Sequence, residues 1–109
     1  MKYMLLINSG TTEPTCTFED WQAFDKEITG AGVVVSSHSL KDLTTATTVR
    51  VDAAGQRTVT DGPYAETREV LGGYYVIDVA DLDVALDWAA RCPGARDGSI
   101  VVRPVSEDF

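Results

Sequence analysis

Two segments of this chain carry helical periodicity, and each is apolar along one stripe only. "TFEDWQAFDKEITGAG" (17–32) places Phe18, Trp21, Phe24 or Asp25, and Ile28 three or four residues apart. "DLDVALDWAARCPG" (81–94) does the same with Leu82, Ala85, Leu86 and Ala89. A helix with one apolar stripe buries that stripe against one surface, so two such helices cover one face of a sheet and leave the other bare. Local chemistry marks their ends. Thr17 is placed to cap the first helix, with Asp20 at the position that reaches back to the cap, and Gly30 and Gly32 supply the stop. Asp81 caps the second helix, and Pro93-Gly94 end it.

The other patterned segments read as strands. Tyr3 to Ile7 is a short apolar run, and "VVVSSHSL" from Val33 turns polar toward its end, placing His38 on a face with Val34 and Ser36. "TATTVRVDAAGQRTVTD" reads as a hairpin whose loop uses Gly55 for a positive φ. In "EVLGGYYVIDVA", Leu71, Gly73, Tyr75, Ile77 and Val79 share one face, and Tyr74, Val76 and Asp78 the other. "SIVVRPV" closes the sheet. The chain of 109 residues fits a single domain, 1–109. Its order is βαββαβ with an inserted β-hairpin, an α+β, ferredoxin-like arrangement. Val34, Val49, Val51, Tyr74, Val76 and Val101 cannot all face the helices, so a homodimer packed sheet against sheet is expected.

With 9 Lys and Arg against 17 Asp and Glu, the net charge is −8, which repels nucleic acid and anionic membranes. No apolar run approaches ~18 residues, and "MKYMLLINSG" reads as a strand rather than a signal peptide; the expectation is a cytoplasmic protein. The two cysteines and the single histidine lack metal-ligand spacing, so neither a metal site nor a disulfide is expected. No cofactor fingerprint is present, and no helix N-terminus follows Gly72-Gly73 to hold a phosphate. Any catalysis is therefore expected to be free of cofactors.

The densest chemistry lies in "DGPYAETREVLGGYY" (61–75). Asp61-Gly62-Pro63 is a turn by composition. Asp61, Glu66 and Glu69 follow closely, with Arg68 between the last two. If "AETRE" is extended, Glu66 and Arg68 share a face; if it is a helical turn, Glu66 aligns with Val70. Either geometry can carry one acid inward beside Tyr64. Burial there raises a carboxyl pKa and makes an acid–base group, Arg68 or backbone donors lower it and make an ion pair, and a solvated charged segment is the plainer outcome. His38 is the single histidine, a residue type suited to acid–base work. It reads either as a half-exposed strand-end residue or as the partner of Asp61 or Glu66. The candidate catalytic set is His38, Asp61 and Glu66, with Tyr64, Arg68 and Gly72 as substrate-binding candidates.

The segment "DGPYAETREVLGGYYVID" resembles the signature of the DGPF family, which is related to the YCII-like proteins. "MKYMLLI", "TATTVRV", "DLDVALDWAARCP" and "GSIVVRPV" extend the likeness over nearly the whole chain, residues 8 to 24 being less typical. The resemblance implies a ferredoxin-like fold assembled as a dimeric α/β barrel. Tyr64, Arg68 and Val70 replace the Phe, Lys and Gln usual in the motif. YCII-like relatives have a proposed His/Asp pair in a cleft; His38 stands where the family often has another polar residue, so that pair does not transfer directly. Three functions stay open. One is an acid–base enzyme acting on a small molecule in a dimer cleft. Another is a non-catalytic small-ligand-binding or regulatory module in sigma-factor-linked transcription control, since some family members are encoded near such factors. The third is a purely structural dimer.

Overall fold

The computed structural model describes residues 1–10, 12–62 and 70–108. Strand β1 (Lys2–Ser9) leads to helix α1 (Phe18–Gly30) and strand β2 (Val34–Ser39). A short 3-10 turn, Leu43–Thr45, precedes β3 (Thr47–Val51) and β4 (Arg57–Asp61). Then come β5 (Val70–Asp78), α2 (Leu82–Arg91), the single turn α3 (Gly94–Asp97) and β6 (Gly98–Pro104). Four strands form an antiparallel sheet in the order β2-β5-β1-β6, while β3 and β4 pair with each other in a second sheet. The α+β layout and strand order are consistent with a ferredoxin-like fold.

Local chemistry sets the helix starts as the sequence implies. Thr17 Oγ1 accepts from the Asp20 N–H at 3.2 Å, and Asp20 Oδ2 accepts from the Thr17 N–H at 2.8 Å, a complete capping box. Asp81 Oδ1 accepts from the Val84 N–H at 3.0 Å. The core lies between the helices and one face of the large sheet. Tyr3, Leu5, Tyr75 and Ile77 point into it from β1 and β5, Phe24 and Ile28 from α1, and Ala85, Trp88 and Ala89 from α2. The rings of Phe24 and Tyr75 meet edge-on at 5.6 Å, and those of Phe24 and Trp88 at 6.4 Å. Arg91 lies 3.8 Å above the Trp88 ring and pairs with Glu27 of α1.

Four expectations about which residues share a face are corrected by the structure. Leu82 and Leu86 are exposed; α2 buries Ala85, Trp88 and Ala89 instead, because small residues let its backbone approach the sheet. Phe18 is 72% exposed and lies outside the core stripe. His38 does not share a face with Val34. A register shift between Val34 and Ser36 puts Val34 opposite Ile77 on the helix side, and His38 opposite Tyr74 on the bare side. A second shift, after Ile7, puts Leu71 opposite Asn8, so Leu71 leaves the face of Gly73 and Tyr75.

The molecule measures 48 × 38 × 18 Å, and its radius of gyration of 16.0 Å exceeds the about 13 Å usual for this length. The thin dimension accommodates one sheet and one layer of helices. Met4, Leu6, Tyr74, Val76 and Val101 occupy the bare face and are half-buried or exposed. Among the described residues, no helix is long and apolar enough to cross a membrane.

A cavity between the first helix and the sheet

A cavity of about 770 Å³ opens between the N-terminal half of α1 and the sheet. The helix contributes Phe18, Gln22, Asp25 and Lys26, which recur at helical spacing and flank the core stripe. The sheet contributes Ser9 from the end of β1, Ser37 and Ser39 from β2, and residues 72–75 of β5. The bulge in β2 is what turns Ser37 and Ser39 toward the helix. Trp21 forms part of the wall, and its place is fixed by Gly94. A Cβ at Gly94 would lie 2.9 Å from Ile7 Cγ2 and 3.3 Å from the Trp21 ring, so indole and α3 are already in contact. Gly73 serves a similar purpose, since a Cβ there would lie 2.8 Å from the His38 carbonyl oxygen.

The cavity's defining contact joins two distant parts of the chain. The Tyr75 hydroxyl donates to Asp25 Oδ1 at 2.7 Å. Burial, followed by the hydrogen bond to Asp25 and its negative charge, pushes the Tyr75 phenol well above its ordinary range. Tyr75 is thus a protonated donor at neutral pH, and it fixes one oxygen of Asp25. Among the described residues, the other oxygen of Asp25 has no protein hydrogen-bond partner.

A second carboxylate holds the approach to α1. Asp97 accepts from the Thr15 N–H at 2.8 Å and the Thr15 hydroxyl at 2.6 Å through Oδ1, and from the Cys16 N–H at 2.9 Å through Oδ2. The Thr15 hydroxyl, then the backbone N–H groups of Thr15 and Cys16, hold its carboxyl well below the usual carboxylate range. A depressed folded-state pKa stabilises the fold above the ordinary value of 3.8, and that stabilisation is lost as pH falls through the folded value. Asp97→Asn is therefore expected to lower the melting temperature at pH 7. Melts repeated at descending pH check the sign: the gap between native chain and variant narrows below about pH 4. Cys16 and Cys92 are free thiols. Burial pushes the Cys92 thiol up to about 11.

The residues singled out in the sequence fall in different places. Gly72 borders the cavity. His38 is exposed on the bare sheet face, its ring 5.8 Å from that of Tyr74. Asp61 is exposed at the end of β4, opposite Thr47 in the smaller sheet. No hydrogen bond joins His38 to Asp61 among the described residues. Tyr64, Glu66 and Arg68 lie outside the described residues. Asp25 and Tyr75, fifty positions apart, were not paired by the sequence reading. Two signals pointed to them: an acid interrupting the apolar stripe of α1, and a tyrosine at an inward position of β5. Among the described residues, no group of three or more His, Cys, Asp or Glu is arranged to hold a metal ion.

A family model described as the YCII-related domain matches residues 1–108. An uncharacterized protein of Rhizobium meliloti (strain 1021) is 42% identical over 89 residues, which cover 80% of this chain and 71% of that protein.

Proposed function

The chain belongs to the YCII-related domain family, and on that premise we propose that its cavity binds a small molecule and transfers a proton to or from it. The pairing of Tyr75 with Asp25 at 2.7 Å carries this reading. A general base needs a fixed position and a free lone pair near the proton it takes. Tyr75 supplies the first by holding Oδ1, and the second oxygen of Asp25 supplies the other. Serine hydroxyls and the Gln22 amide are suited to orienting a polar ligand, and Phe18 and Trp21 give it an apolar wall, the mixture usual in small-molecule sites.

A thermal-shift screen over a metabolite library tests the reading. At least one compound is expected to stabilise the native chain. Its affinity falls about tenfold in Asp25→Asn, the usual effect of removing a charged hydrogen-bond partner. Tyr75→Phe, which keeps the ring packed, causes a smaller loss by freeing Asp25. A compound that stabilises both variants as strongly as the native chain would remove this cavity from the function. Proton NMR of the hit then follows turnover. A hit that binds without conversion favours the second reading, a ligand-binding or regulatory module; it is supported by the lack of histidine in the described lining and by Tyr75 remaining a donor.

The bare sheet face is the proposed surface for a second copy of the chain. Its apolar strip, Met4, Leu6, Val76 and Val101, has both signs of charge at its margin, Lys2 and Arg103 with Asp78, as a self-complementary interface requires. The likeness of residues 61–78 to the DGPF motif supports the same assembly, a dimeric α/β barrel with His38 and Tyr74 in the interface. Light scattering after size exclusion is expected to give twice the chain mass, and Val76→Glu to give monomer, because a charge would be buried unpaired. A native chain that runs as a monomer at high concentration would end this proposal.

A further inference from the structure

We infer that the cavity between α1 and the sheet selects a ligand carrying a primary ammonium group beside an apolar or aromatic face, an inference that rests on the binding role proposed above. Among the described lining residues there is one carboxylate, Asp25, and one cation, Lys26. They are adjacent in sequence but differ in preorganisation. Asp25 is held by Tyr75 at 2.7 Å. Both residues are exposed, but Lys26 makes no ion pair among the described residues, so its ammonium keeps the freedom of a four-carbon stem. A fixed charge meets a ligand without further ordering, whereas a mobile one must first be immobilised at an entropic cost. Among the described lining residues, the fixed charge is negative.

The surroundings favour the same sign. The Asp25 oxygen that Tyr75 does not hold can accept from an N–H donor, and the hydroxyls of Ser9, Ser37 and Ser39 offer further acceptors. Phe18, Trp21 and Tyr75 present aromatic surface to the same space, and ring faces attract cations. Among the described residues, the lining offers an anion little in exchange. The N-terminus of α1, the nearest backbone source of positive potential, is already closed by Thr17 and Asp20. Asp97, at the smaller hollow that shares Ile7, Ser9 and Trp21 with the cavity, adds another negative charge. The net charge of −8 also draws cations toward the molecule.

Three probes of matched shape separate charge from shape: benzylamine, benzyl alcohol and benzoate. Amide chemical shifts of the full native chain report where each one binds. Benzylamine is expected to move the Ser37, Ser39, Gly72 and Gly73 amides and to bind about tenfold more tightly than benzyl alcohol, with benzoate weakest. Asp25→Asn is expected to erase that tenfold preference. Lys26→Gln is expected to strengthen benzylamine a few-fold by removing a like charge. Benzoate binding at these amides as well as benzylamine, or a preference that survives Asp25→Asn, would overturn the ammonium assignment while leaving the cavity as a binding site. If none of the probes moves these amides, and the metabolite screen also gives no ligand sensitive to Asp25→Asn, then both the assignment and the site fail.

Discussion

Phe24→Ala is expected to lower stability by about 3–5 kcal/mol, the range for removing a buried aromatic side chain, and to weaken ligand binding in the cavity as well. Phe24 is 4% exposed and stands between two other rings, its centroid 5.6 Å from Tyr75 and 6.4 Å from Trp88. Removing it leaves a void with aromatic walls on two sides, which rigid rings cannot collapse to fill. The Tyr75 ring then loses its edge contact, and the hydroxyl that holds Asp25 moves with it. A loss of this size is a large part of the 5–15 kcal/mol that holds a typical domain together. Phe24→Leu, which keeps most of the volume, provides a folded companion. Urea unfolding measures the first effect as a shift in midpoint at constant slope, and titration with a cavity ligand measures the second. A midpoint unchanged in Phe24→Ala would mean that the core packs differently from this description.

Gly98→Ala is expected to cost about 3 kcal/mol, at the upper end of the penalty for overpacking. A Cβ at position 98 would lie 2.1 Å from the Asn8 carbonyl oxygen and 2.7 Å from the Gly10 nitrogen. Both are backbone atoms, so no side chain can swing aside. Gly98 opens β6 opposite Ser9, and Ser9 borders the cavity, so relief of the clash comes from pulling β1 away from β6 at the cavity end. Calorimetry should register a drop in melting temperature of roughly 4–8 °C per kcal/mol for a chain near this size. A variant that melts within a degree or two of the native chain would show that β1 and β6 are not so closely apposed at this point.

Features set by near neighbours in sequence were legible in advance. The Thr17–Asp20 capping box uses residues three positions apart, and the Asp81 cap is equally local. The strand alternation of residues 73–79 also survived, because a period of two is written directly in the side chains. What failed depended on distance between elements. Leucine outranks alanine as an apolar residue, so Leu82 and Leu86 were placed inward, yet the close approach of α2 to the sheet buried Ala85 and Ala89. The register shift between Val34 and Ser36 has no glycine or proline to announce it, and it moved His38 away from the helix side of the sheet. The same shift turned Ser37 and Ser39 toward the cavity. The Tyr75–Asp25 contact was the least legible feature, since it joins α1 to β5 across fifty residues. The charges of 61–69 drew attention because they are close in sequence. Asp25 drew little, because its partner Tyr75 is visible only in the folded chain.

Arg91 gives the helix layer a brace with two attachments of unequal salt sensitivity. Its guanidinium rests on the Trp88 ring, and it also reaches Glu27 on the helix that walls the cavity. At 0.1 M ionic strength the Debye length is about 10 Å and it shortens further as salt rises, so the exposed link to Glu27 weakens first. The stacked link depends on close contact with a ring and is screened less. Concentrated salt would therefore loosen the coupling between the two long helices while leaving Arg91 seated on α2.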